Sequence, residues 1–191
     1  MHGATTPLIA LAALWTAWVA YWLAASANVK RDRWREPARA RVLHQLPLLV
    51  CILLLATPRW QPAVLTARFA APSPALPMLG TILVALGLGF AVWARLHLGR
   101  NWSSQVVVKE GHTLVRTGPY RRVRHPIYSG LLLALAGTAL AIGEWRGVLA
   151  LAFALLGILL RVRAEEAQMR REFPDYERYR GQTRALIPHV F

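Results

Sequence analysis

Four apolar stretches constrain this chain more than anything else in it: Leu8 to Ala27, Leu46 to Thr57, Leu76 to Leu98, and Ile127 to Leu160, the last interrupted at GEWRG, Gly143 to Gly147. A helix crossing the hydrocarbon core of a bilayer needs about 20 predominantly apolar residues. The first and third stretches reach that length, and the second reaches it when extended back to Val42. The fourth divides into two arms of roughly 16 residues each, short for a full crossing. The expectation is an all-α integral membrane fold of about five transmembrane helices, the last two forming a tight C-terminal hairpin. A hydrophobic content of 55% with eight tryptophans in 191 residues exceeds what a soluble domain of this size needs, and points the same way.

The chain carries 23 Lys and Arg against 9 Asp and Glu, a net charge of +14. In a soluble protein that excess would point to nucleic acid. Here six basic residues lie between Lys30 and Arg41, seven between Arg95 and Arg124, and seven between Arg161 and Arg184. Five spans put all three blocks on one side of the membrane. The positive-inside rule makes that side the cytoplasm and leaves the N-terminus outside. Anionic lipid headgroups are the natural partner of such a face. Nucleic acid is not expected, because the blocks are interleaved with spans and no recognition motif accompanies them. The Arg- and Ala-rich composition suggests a bacterial inner membrane.

ASA, Ala25 to Ala27, has the form of a signal-peptide cleavage site, yet MHGATTPL carries no Lys or Arg and a basic block follows the apolar run. Those features favour a retained anchor. Cys51 is the sole cysteine. No intramolecular disulfide can form, and the residue reads as packing within the second span.

Two regions follow: residues 1–98, with the first three spans, and residues 99–191, which hold a polar connection, the hairpin and a tail. In the connection, QVVV and TLV flank KEGH and read as a small hairpin. TGPYRRVRHP then sets a Gly-Pro turn at one end and a His-Pro at the other, with Pro126 near the first turn of the next helix. The tail continues the fifth span, pairing Arg161 with Glu165 and Glu166 with Arg170 on shared helical faces, and breaks at Pro174. Its end, with aromatics at 176 and 179, suits an amphipathic piece lying on the bilayer or capping the connection. A hairpin brings the base of its second helix beside the start of its first. The acidic pair Glu165-Glu166 is therefore expected near His125 and Tyr128, in a pocket with a cationic side, an anionic side and aromatic walls. Such a pocket fits a zwitterionic guest.

RHPIYSG, Arg124 to Gly130, is followed after 34 residues by Glu165-Glu166. With HTLV (His112 to Val115) and GPY (Gly118 to Tyr120) upstream and FPDYERY and LIP downstream, this ordered set resembles the isoprenylcysteine carboxyl methyltransferases and the related membrane phospholipid methyltransferases. It covers the C-terminal half in detail, whereas residues 1–90 match only as apolar spans. The interval from Gly130 to Glu165 is somewhat longer than the family's, which puts Glu166 in more question than His125.

The resemblance implies S-adenosyl-L-methionine as cofactor. Its positive groups would face Glu165 and Glu166, and its carboxylate Arg124 or His125. Tyr120 and Tyr128 would wall the adenine or the sulfonium. Gln105, His112, Thr113, Leu114 and Val115 would add contacts, with Gly118, Pro119, Pro126 and Gly130 shaping the motif. Arg161 matches a family position that orients the acceptor. The implied reaction is methyl transfer to a lipophilic acceptor entering from the bilayer, an isoprenylcysteine-type carboxylate or a small lipophilic acid or thiol; a phospholipid amine is the alternative. Two readings of other classes stand beside it, a membrane reductase using NADPH and a non-catalytic lipid-binding protein. Trp102 reads as an interfacial anchor, and no His, Cys or acid spacing indicates a metal.

Overall fold

The computed structural model describes residues 5–26, 32–35, 37–99, 102, 107–109 and 114–188. Five long helices dominate: α1 (Thr5–Ser26), α2 (Ala38–Ala56), α4 (Ala75–Leu98), α5 (Pro126–Ile142) and α6 (Trp145–Glu172). A single-turn α3 (Ala63–Thr66) lies between α2 and α4, and α7 (Tyr176–Gln182) closes the tail. By length and composition α1, α2, α4 and α6 can each cross a membrane, while α5, with 17 residues, is shorter. The fold is that of an all-α integral membrane protein. The two arms of the expected hairpin are unequal. α6 runs to 28 residues because its charged continuation from Arg161 stays helical.

Extensive contacts run α1 on α4, α4 on α5, α5 on α6 and α6 on α2. Small residues set the closest of these. A Cβ on Gly87 of α4 would lie 2.5 Å from the carbonyl oxygen of Gly130 on α5, and Gly80 meets Gly137 in the same way. Between apolar helices in lipid, close backbone approach gains the dispersion contact that hydrophobic burial supplies in water. The α5–α6 turn is tight because Gly143 takes a left-handed conformation, φ 69°, and closes α5 by donating to Ala139 O. At that end Arg146 donates to Leu54 O at 3.2 Å and Leu55 O at 2.9 Å, satisfying two terminal carbonyls of α2.

At the other end β1 (Asp32–Arg35) pairs antiparallel with β2 (Val107–Lys109), Arg35 opposite Val107. The hairpin expected from QVVV and TLV lies largely outside the described residues, and of its strands the described Val107–Lys109 pair with the α1–α2 connection. Leu114 and Val115 leave strand geometry, and Val115 packs against the Trp102–Tyr120 cluster, so burial outweighs a local ladder there. Trp102 is not an exposed anchor: it is 6% exposed and meets Trp22 edge-on at 5.3 Å. The Arg95 guanidinium lies 4.5 Å over its ring and donates to Ala25 O and Gly99 O, tying the ends of α1 and α4 together.

The tail folds onto the connection, the second of the two placements its sequence allowed. Val123 and Arg184 form a parallel bridge, Arg124 N and His125 N donate to Arg184 O and Ala185 O, and Ser129 Oγ donates to Leu186 O. The Tyr179 hydroxyl donates to Tyr120 O at 2.7 Å.

Candidate active site

His-Pro at 125–126 ends the extended segment and starts α5. His125 holds φ −125°, ψ 57°, outside the helical region, and Pro126 takes the first helical position, where its missing N–H costs nothing. Tyr128 follows within the first turn. One turn of α6 carries Arg161 and Glu165, four residues apart, and the hairpin sets that turn opposite Tyr128.

Four side chains converge there. Tyr128 Oη donates to Glu165 Oε1 at 2.5 Å, Arg161 Nε donates to the same oxygen at 3.0 Å, and His125 Nδ1 lies 3.3 Å from Glu165 Oε2. His125 Nε2 lies 3.3 Å from Glu166 Oε1. With a carboxylate at each ring nitrogen, both nitrogens must donate, and the state that satisfies them is the imidazolium. Burial alone would lower the His125 pKa, but the hydrogen bonds it donates to Glu165 and Glu166 outweigh it and raise the value above 6.5. The His125 ring is stacked on Tyr128, 13° from parallel, and the Arg161 guanidinium lies 5.7 Å from the Tyr128 ring centre.

This cluster forms the polar end of a cavity of about 750 Å³. Arg124, Tyr120, Tyr176 and Tyr179 complete that end. Burial pushes the Tyr120 and Tyr176 phenols up, and Tyr179 to about 12, so all three are neutral donors near neutral pH. From there the cavity runs along α5 past Leu131, Leu135 and Thr138 to Ile142, with Trp15, Trp18 and Trp22 of α1 on one side and Leu48, Cys51 and Leu55 of α2 on the other. Tyr128 to Ile142 is about 21 Å of helix. Charge is confined to one end of a long apolar space.

Of the residues singled out from sequence, Leu114, Val115, Tyr120, Arg124, His125, Tyr128, Arg161 and Glu165 line this cavity. Gln105, His112 and Thr113 lie outside the described residues. Glu166 is absent from the lining: Arg124 Nε donates to it at 2.7 Å, Arg180 Nε lies 3.5 Å away, and Arg170, its expected helical partner, pairs with Glu177 instead. Gly118, Pro119, Pro126 and Gly130 also lie off the lining and act on the backbone. Gly118, at φ 56°, lets the chain turn directly against the His97 ring; Pro119 continues that turn; Pro126 starts α5, and Gly130 admits α4. Sequence reasoning missed the tryptophan wall of α1 and the placement of Tyr176 and Tyr179. The FPDYERY aromatics were visible, but nothing local says that they fold back over Tyr120.

Residues 78–171 match the model of the isoprenylcysteine carboxyl methyltransferase (ICMT) family. Through this region, just under half of its length, the chain is similar to that family. The ICMT match spans α4, the connection, α5 and nearly all of α6, and so contains every member of the Glu165 cluster. The cobalt-zinc-cadmium resistance protein CzcN of Cupriavidus metallidurans is 32% identical over 123 residues, 62% of this chain and 51% of that protein. The nickel-cobalt-cadmium resistance protein NccN of Alcaligenes xylosoxydans xylosoxydans is 31% identical, over 59% of this chain and 48% of the relative. Protein-S-isoprenylcysteine O-methyltransferase of Schizosaccharomyces pombe is 33% identical over 101 residues, 51% of this chain and 43% of the yeast protein. The chain spans about half the length of these relatives.

Proposed function

We propose that this protein is a membrane methyltransferase that uses S-adenosyl-L-methionine to methylate a lipophilic acceptor, an isoprenylcysteine-type carboxylate or a similar small acid or thiol. The observation that carries the reading is the confinement of Glu165, His125, Arg161 and Tyr128 to one end of an otherwise apolar cavity. The polar groups and the apolar side chains line one cavity.

The residues fit such a cofactor. A carboxylate has about four acceptor positions, and Glu165 uses three on Tyr128, Arg161 and His125, leaving capacity for a ligand cation. Arg124 and the His125 imidazolium supply positive charge for a carboxylate, and the neutral rings of Tyr120 and Tyr179 supply flat walls. The cofactor supplies an electrophilic methyl carbon. What remains for the protein is alignment and exclusion of water. Tyr128 and His125 hold Glu165 in one rotamer. Arg161 keeps a guanidinium between the polar cluster and the apolar run, suited to orienting an anionic acceptor group. A carboxylate or thiolate acceptor arrives without a proton to lose, so no general base is assigned. A phospholipid amine is the alternative acceptor, and would have to be neutral at the moment of transfer.

The metal names of the two bacterial relatives do not redirect this reading. Among the described residues no three His, Cys, Asp or Glu side chains are grouped to hold a metal ion. The three basic blocks favour a site facing the cytoplasm, and the Arg- and Ala-rich composition favours a bacterial inner membrane.

Calorimetric titration of the detergent-purified protein with S-adenosylhomocysteine tests the reading. Micromolar binding that is lost in His125→Ala and Glu165→Ala, with helicity retained, supports it. A folded protein that fails to bind overturns it.

A further inference from the structure

The turn that brings Tyr120 to the cavity has a second face. Behind it, on the outside of α4, lies a separate groove of about 510 Å³ lined by Phe90, Trp93, Arg121, Arg122 and Pro188. Both arginines are exposed, and among the described residues neither makes an ion pair or a side-chain hydrogen bond. Below them a stripe of apolar side chains descends α4 at helical spacing: Trp93, Phe90, Leu86, Ile82 and Leu79, all exposed except the half-buried Phe90. From Trp93 to Leu79 this track is about 21 Å long, most of the depth of one bilayer. An arginine pair above an aromatic belt residue and an apolar track is complementary to one kind of molecule, with an anionic head and a hydrocarbon chain.

We infer that the groove behind the Gly118–Arg122 turn is a seat for a single anionic phospholipid, its phosphate on Arg121 and Arg122 and an acyl chain along Trp93, Leu86 and Ile82. The occupant is a lipid and not a soluble phosphate, because the arginines stand over a track that only a hydrocarbon chain would cover. The seat lies on the opposite face of the segment from the cavity. Arg124 and His125 follow Arg122 within three residues, so a lipid bound there braces the same backbone that holds Glu165 and Glu166.

Native mass spectrometry of the protein released from nanodiscs of mixed phosphatidylglycerol and phosphatidylcholine reads the seat directly, with no cofactor present. Preferential retention of one phosphatidylglycerol is expected, falling on the order of tenfold or more in the R121Q/R122Q double variant, since each arginine near a headgroup contributes roughly a fivefold preference. R170Q/R171Q, equally basic but outside the groove, should retain the lipid. Equal retention by R121Q/R122Q, shown to be folded by circular dichroism, overturns the seat. So does displacement of the lipid by millimolar inorganic phosphate, which would show a soluble-anion site. Loss of retention in both double variants alike would reduce the effect to general surface charge and also overturn it.

Discussion

Tyr128 and Glu165, 37 residues apart in sequence, meet through a 2.5 Å hydrogen bond that closes the α5–α6 hairpin at its polar end. Glu165 is therefore held by three donors before any ligand arrives, and a ligand need not order it on binding.

Glu165→Gln keeps the shape and removes the charge. The expected outcome is a loss of S-adenosylhomocysteine affinity of at least tenfold by calorimetry. The substitution also replaces the charge-assisted hydrogen bond from Arg161 Nε by a neutral one, which costs about 1–2 kcal/mol of stability. Tyr128→Phe removes one donor while the charge remains, and should cost about 1–3 kcal/mol. A glutamine variant that binds with unchanged affinity would remove Glu165 from the ligand site.

His125 sets a pH dependence of definite sign. Its folded pKa is raised, because Glu165 and Glu166 stabilise the imidazolium more than burial disfavours it. The resulting stability is fully present below the unfolded value of about 6.5 and is lost as pH rises through the folded value. Melting temperature in detergent should fall across that window for the native protein and be flatter for His125→Gln. A native profile that rises over the same range contradicts the charged state assigned here.

How far the sequence exposes this arrangement depends on the range of the forces involved. Helix boundaries at Pro126, Gly143 and Leu98 were legible because proline, glycine and apolar runs act locally. The meeting of His125, Tyr128 and Glu165 followed from hairpin geometry, which needs only two adjacent antiparallel helices. The pairing of Val107–Lys109 with Asp32–Arg35 was not legible, because QVVV carries the same β-branched signal whichever strand it meets. Nor was the role of Trp102, whose burial depends on Arg95 reaching back to cap α1. The different surroundings of Glu165 and Glu166, adjacent in sequence, rest on which of them faces the folded-back tail.

The α4–α5 contact offers a test with an internal control. Gly87→Ala would drive a methyl group to 2.5 Å from Gly130 O, where backbone must move, whereas a Cβ on Gly89, two residues along the same helix, meets nothing within 4 Å. Gly87→Ala should cost about 1–3 kcal/mol by overpacking. Gly89→Ala should be neutral or stabilising by up to about 1 kcal/mol through helix propensity. Denaturation by mixed micelles measures both. Equal effects would mean that α4 and α5 do not approach as closely as the glycines allow.

Glu166 separates holding the site from belonging to it. Its Oε1 accepts from Arg124 Nε at 2.7 Å, its Oε2 lies 3.5 Å from Arg180 Nε, and Arg124 Nη1 also donates to Thr183 O at 2.7 Å. Glu166 thus links α6, the connection and α7, and among the described residues it reaches the cavity through His125 and Arg124. Glu166→Gln should loosen the tail, raising amide hydrogen exchange in residues 176–187 severalfold, since a charge-assisted hydrogen bond to a buried partner is worth about 1.5–3 kcal/mol. Ligand affinity should fall less than in Glu165→Gln, because the lining carboxylate remains. If the tail exchanges as before and affinity drops as far as in Glu165→Gln, then Glu166 touches the ligand and the tail is held by Arg124 and its backbone bonds alone.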